Sequence, residues 1–406
     1  MIKTEIVADS LDSRGNRLTS LLITFPRIIL AEINTHRMLS KNTSSSRAIP
    51  FLKMVEAVQN NPFIPFAWQK YHPGMQGSEY LDETVKYDLI SFMTILNDTL
   101  SNTEDEKERA RLSKRIEEKT KIIKELLTPY TLLEKTLPEW WLFARDKAVE
   151  TASILYVFDV TKQLCNRLLE PFMWTTMLIT GSKESWDNFF NLRCPQYEYY
   201  TLNGEERWLI KSKKEWLEQV NTYEKNILKK DNLFTENNVY WLGINKGQAE
   251  IHMMALAECI YDAMNESTPN QLEVGEWHIP FVQNLDLIEL AKLYPDADDF
   301  QKVCVKISTA MAAHTSYTTV GNEPIKSYEK WIELHDKLIA YDPPHSSPME
   351  HCARAMNDKE YNSFIKGKTS YHNEEYFNMA TKDVKGWCNN LKGFIPYRYM
   401  IDNNLI

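Results

Sequence analysis

The opening thirty residues constrain the fold most. They alternate in polarity and are rich in Ile, Leu, Val and Thr; RLTSLLITFPRIIL reads as one or two strands that Pro26 breaks or ends. A sheet must therefore be part of the fold. Most of the remaining chain carries helical periodicity. Helix is expected from Ile29 to about Leu39, then a polar stretch from Ser40 to Arg47 and a Pro- and Gly-punctuated loop over 60–77. Helical patterns return over 82–97, 103–127, 139–177 and 184–193, then over 213–229, 248–263, 301–313, 325–339 and 347–357. The segment 265–300 has strand and turn character around EWHIPFVQNLD. The expected class is α+β. Only 12 Gly in 406 residues point the same way, toward helix rather than a turn-rich β sandwich.

Charge and cysteine usage narrow the function. A formal charge of −9 argues against a broad duplex-binding face, because non-specific affinity for nucleic acid comes mostly from neutralising phosphates. It leaves room for a local basic pocket. The six Cys include no CxxC pair and read as scattered, reduced thiols. The N-terminus has no apolar signal-like region and no apolar run is long enough to span a bilayer, so a soluble cytoplasmic protein is expected. Eleven Trp and 20 Tyr suggest large packed surfaces or a stacking role toward a planar ligand.

Four stretches could carry chemistry. HRMLSKNTSSSR (36–47) gathers His36, Arg37, Lys41 and Arg47 with Asn42 and a run of hydroxyls. Guanidinium forks and hydroxyl donors suit phosphate; the same residue types also make an ordinary helix-capping loop. NFFNLR (188–193) places Arg193 on an aromatic helix, where such an Arg more often forms an ion pair. HSSPMEH (345–351) has two His and a Glu, but at no zinc-type spacing, so no metal is expected. AHTSY (313–317) is polar within a helix. No nucleophile elbow or P-loop is present, so a cofactor would carry the hard chemistry in an enzyme of this kind.

Together these stretches resemble the flavin-dependent thymidylate synthase family. Its RHR signature, with Ser and Arg at fixed spacing, is similar to Thr35-His36-Arg37 with Ser45 and Arg47. Its NFLNLR-like, AQWEI, ARVSF and HETPFEH segments resemble 188–193, 247–251, 313–317 and 345–351. The last two close this chain rather than precede the signature. That order looks like a circular permutation, similar to long bacteriophage-type variants, whose PGMQ loop resembles Pro73–Gln76.

The resemblance implies helices packed on a mainly antiparallel sheet. It makes 1–193 and 247–406 one catalytic domain, with a helical arm about 82–135 and an insertion subdomain at 194–246. By position, His36, Arg37, Asn42, Asn188, Leu192, Gln248, Ser316, His345, Ser347 and Glu350 would contact FAD. Ser45, Ser46, Arg47 and Arg167 would hold the nucleotide phosphate; Arg193 would face the pyrimidine and, with Ser45, act in catalysis. The implied reaction is reductive methylation of dUMP at C5 to dTMP, with methylene-tetrahydrofolate and NADPH, in a homotetramer with shared sites.

The chain also departs from that pattern. Thr35 replaces the first Arg and Thr43 a Glu near the nucleotide. The family's ExxR pair is represented only by Gln163 with Asn166 or, shifted by one, Arg167, and two flavin contacts fall at Ser182 and Glu184. A changed donor set around Thr43 and Arg193 could favour another pyrimidine nucleotide such as dCMP. A third alternative is a non-catalytic nucleotide- or nucleic-acid-binding relative.

Overall fold

In the computed structural model the first two strands form a hairpin, and its turn explains why. Asp12 Oδ1 accepts from the backbone N–H of Arg14 (2.9 Å) and Asn16 (2.8 Å), while Gly15 takes the left-handed φ of 81° that the reversal requires. The structure describes residues 1–72, 77, 79–200, 207–219, 238–317, 327–341, 347–366 and 390–406. In chain order the strands are β1 (Lys3–Asp12), β2 (Arg17–Pro26), β3 (Ser40–Thr43), β4 (Trp68–Gln69), β5 (Tyr80–Leu81) and β6 (Trp174–Ser182). Next come β7 (Tyr197–Tyr200), β8 (Arg207–Ile210), β9 (Asn270–Leu272), β10 (Trp277–His278), β11 (Ala353–Ala355) and β12 (Phe394–Pro396).

The secondary structure is mixed α+β. The main sheet runs β3-β6-β2-β1-β9, antiparallel except for the β1–β9 edge pair, and β10-β11-β12 make a second, antiparallel sheet. Two compact units are present, residues 1–63 with 152–406, and residues 64–151. The second carries the small β4–β5 hairpin and the helices Leu89–Asn102 and Glu106–Ile122. Asp88 and Asp105 cap these two helices at their N-termini.

Several segments differ from the sequence reading: the helix expected from Ile29 to about Leu39 ends at Asn34, and 265–300 also holds the helix Leu287–Leu293. The pattern over 139–177 predicts continuous helix; helix covers Leu137–Val157 and Lys162–Cys165, and the chain then enters β6. Residues 174–182 are buried between β2 and β3 with both faces covered. A strand so placed loses the apolar–polar alternation that would have marked it. The polar run from Ser40 forms the edge strand β3, because its polar side chains find partners across the sheet. The expected helix 347–357 is instead a 3-10 turn, Ser347–Glu350, followed by β11. Elsewhere helices occupy 183–193, 251–266, 297–317 and 328–340. The expected helix 213–229 is seen over Lys213–Gln219, and its remainder lies outside the described residues, as does Pro73–Gln76.

Cross-strand register sorts the sheet's side chains onto two faces. Leu21 pairs with Ile179 and Ile23 with Met177; these side chains join Trp186, Phe189, Met253 and Leu256 in one core beneath the helices 183–193 and 251–266. The alternate set, with Leu22 opposite Leu178, packs on the other face against Phe281 and Ala312. A bulge at Val7 turns that residue onto the second face as well, where its carbonyl accepts from Phe281 N–H at 3.0 Å. The segment 194–246 contributes the β7–β8 hairpin and helices Lys213–Gln219 and Asn238–Ile244, which share an apolar cluster of Tyr197, Ile210, Trp216 and Trp241. Among the described residues no helix is long and apolar enough to cross a membrane.

Candidate functional site

On the first face, the C-terminal end of helix 183–193 meets the loop after helix Leu30–Asn34. Arg193 Nε donates to His36 Nε2 at 2.9 Å, and its Nη1 pairs with Glu32 at 3.3 Å. Burial, then the neighbouring Arg193 and Lys41 charges, push His36 down to about 4. The imidazole is therefore neutral at pH 7 and accepts at Nε2, which puts its proton on Nδ1. Its ring also meets Phe189 edge-on, with centroids 4.9 Å apart. Burial and the Glu250 charge raise Glu32, while Arg193 lowers it. Arg193 is thus held in a fixed orientation by one neutral and one acidic partner.

Lys41 serves the loop itself. Its Nζ donates to the carbonyls of Ile33 (3.1 Å), Asn34 (3.4 Å) and His36 (2.6 Å), capping the preceding helix, and burial lowers it to about 8. Glu250 caps helix 251–266 through the His252 and Met253 amides, and its neighbour Gln248 is exposed. Asn188 and Leu192, one turn apart, are both exposed on the outer side of their helix.

A second group forms beside the 44–49 turn. Asn166 Nδ2 donates to the carbonyls of Ser46 (2.7 Å) and Ile49 (2.9 Å), and Lys162 Nζ to that of Ala48 (3.1 Å). These bonds set the turn carrying Ser45 and Arg47 against the segment carrying Lys162 and Arg167. Arg47 and Arg167 are exposed, and among the described residues neither makes an ion pair. Ser46 is committed inward: its hydroxyl donates to Glu170, which also pairs with Arg27 at 3.2 Å. Arg37 is exposed, and Asn390 donates to its carbonyl at 3.2 Å.

The second face holds the remaining predicted positions. Asn42 donates to the Ala312 carbonyl and accepts from Ser347 Oγ at 3.4 Å, docking the 347–350 turn on β3. Glu350 pairs with Arg398; burial raises its carboxyl, and Arg398 and Ser40 oppose that rise. His345 lies outside the described residues, and Ser316 is described only by its place on helix Ala297–Tyr317. Within one chain the sheet thus separates Asn42, Ser347 and Glu350 from His36 and Arg193.

The sequence reading missed two features of that second face. One is a buried chain of polar groups. Ser10 Oγ lies 2.8 Å from His278 Nδ1, His278 Nε2 2.8 Å from Ser20 Oγ, Ser20 Oγ 2.6 Å from Thr180 Oγ1, and Thr180 Oγ1 2.8 Å from His351 Nδ1. Burial lowers both His278 and His351 to about 3, so each imidazole is neutral; His278 takes part through both ring nitrogens as one donor and one acceptor, and His351 through Nδ1 alone. The other is a cavity of about 710 Å³ at the Ser44–Thr176 end of the sheet, walled by Trp174, Phe281, Met311 and Trp331. The abundance of Trp was its only sequence signal, because its walls come from segments far apart in the chain. Among the described residues no group of three or more His, Cys, Asp or Glu is arranged to hold a metal ion. The described cysteines are all free, and four of those five are buried. Comparisons with protein-family models, with curated proteins and with solved structures found no match.

Proposed function

We propose that this protein is a flavin-dependent enzyme that alkylates a pyrimidine nucleotide at C5, with dUMP as substrate. The motifs at 35–47, 188–193, 247–251, 313–317 and 345–351, which resemble the flavin-dependent thymidylate synthases, motivate the reading. The observation that carries it is the bonding of the 44–49 turn to the Lys162–Arg167 segment. It brings the turn that carries Ser45 and Arg47 against the segment that carries Lys162 and Arg167, and among the described residues neither exposed Arg makes an ion pair. A rim bearing such groups suits a phosphate monoester.

Arg193, oriented by His36 and Glu32, would stabilise negative charge developing on the pyrimidine ring. Its Nη2 makes no hydrogen bond among the described residues and is free for that role. The flavin would be held by Asn42, Ser347 and Glu350 from one face, and by His36, Asn188, Leu192 and Gln248 from the other. Since the sheet separates those sets within one chain, a complete site on this reading joins residues of neighbouring subunits, in a tetramer. When bound, reduced FAD would supply the hydride equivalent that completes the methyl group, with NADPH as its reductant and methylene-tetrahydrofolate as the carbon donor.

The test is direct. Purified protein should take up FAD and turn yellow, and should release the C5 proton of dUMP when methylene-tetrahydrofolate and NADPH are supplied. A protein that stays colourless in excess FAD sinks the reading. Proton release from dCMP alone would move the substrate to cytosine, whose exocyclic amine donates where uracil accepts. Arg193→Ala should abolish turnover with flavin still bound; loss of flavin would mean that Arg193 holds the cofactor instead.

A further inference from the structure

The cavity on the second face differs in chemistry from the Arg47–Arg167 rim. We infer that it is a separate binding site for a small, planar, uncharged heteroaromatic molecule of the nucleobase or nucleoside class, without a phosphate. Its volume of about 710 Å³ is in the range of small-molecule sites. Trp174, Phe281 and Trp331 offer ring surface for stacking, and Met54, Met173 and Met311 offer thioethers that adapt to a flat ligand. Met54, Met173 and Phe281 are at most 5% exposed and Trp331 9%, so these walls are set by the core.

Charge decides the class of ligand. No Lys or Arg is among the described residues that line the cavity; the one carboxylate there is that of Glu56, exposed at the mouth, and the one imidazole is His314, which burial disfavours in its charged form. A phosphate inside it would meet repulsion from Glu56 with no Lys or Arg in the described lining to offset it. Beside Glu56 stand the exposed carboxamides of Asn60, Asn61 and Asn284, each with donors and an acceptor of the kind that pairs with the polar edge of a heterocycle. A ring stacked inside with its polar edge at the mouth satisfies both halves of the lining. This inference does not depend on flavin chemistry.

Calorimetric titration of the full-length protein with adenosine and with AMP tests it. Adenosine should bind saturably, and AMP at least about tenfold more weakly. Ala57→Trp, which fills the cavity from helix Phe51–Asn60, should abolish adenosine binding while the circular dichroism spectrum is kept. Glu56→Lys lies at the exposed mouth, where it cannot disturb the core; it should narrow or reverse the preference by improving AMP. The inference is overturned if adenosine shows no saturable binding, if AMP binds as tightly as adenosine to protein carrying Arg47→Ala and Arg167→Ala, which removes the phosphate rim, or if folded Ala57→Trp protein binds adenosine normally. FAD uptake, followed separately by absorbance, reports on the flavin reading alone.

Discussion

Single residues here are governed by what surrounds them more than by their type. His36 reads in the sequence as one cation among several, yet burial and two neighbouring cations hold it neutral, so that it accepts from Arg193 rather than binding an anion. Its folded pKa of about 4 lies below the ordinary 6.5, so the unfolded chain takes up the proton first. Its contribution to stability is complete above pH 6.5 and is lost as pH falls toward 4; for His278 and His351 the loss continues toward 3. In denaturant titrations His36→Gln should therefore lessen the decline between pH 6.5 and 4 by up to one proton, about 1.36 kcal/mol per pH unit. An unchanged decline would mean that His36 titrates normally. Arg47→Ala or Arg167→Ala should each raise KM for the pyrimidine nucleotide roughly tenfold without releasing flavin. Equal KM in both variants and the wild type would remove the phosphate from that rim.

At the scale of elements, β6 is the strand on which both faces depend. One side of it completes the core with Trp186 and Phe189; the other supplies Thr180 to the chain of hydroxyls and imidazoles. Thr180→Val keeps the shape but leaves Ser20 Oγ and His351 Nδ1 each short of a buried partner. It should cost about 1–3 kcal/mol in unfolding free energy, and a loss below measurement would show that the hydroxyl is dispensable. The sequence reading could not find this strand. Thr175, Thr176, Leu178 and Ile179 follow a genuinely helical stretch, and a short apolar run buried on both faces has no period of its own. Strand character before Pro26 was legible from alternation and β-branched residues, but the Asp12–Asn16 turn that divides it into β1 and β2 was not read. β3 was hidden in a polar run whose Ser40, Asn42 and Ser44 are buried only because Glu350, Ala312 and Thr175 meet them.

Across the molecule, an exposed apolar strip stands out on the larger unit. Tyr156, Val157, Phe158, Leu164 and Leu168 are between 40% and 76% exposed, and Leu52 is 70% exposed beside Phe51, whose ring stacks on Tyr156. Strips of this kind mark association surfaces, as the proposed tetramer needs. Light scattering should give a mass several times that of the chain, and Phe158→Asp should lower it. A monomeric wild-type protein would defeat the shared-site arrangement.

Local period was enough to establish the mixed α+β class, strand character in the first thirty residues and most of the helices from the chain alone. Composition also singled out the 36–47 run as polar and cationic. The role of each of those groups came from folding. Lys41 caps a helix, Ser46 turns to Glu170, Arg193 is gripped by His36 and Glu32, and among the described residues Arg47 and Arg167 make no ion pair. The cavity and the His278–His351 chain likewise exist only after folding, since their members lie up to hundreds of residues apart. Whether a side chain is buried, neutralised or free depends on partners that no local pattern encodes.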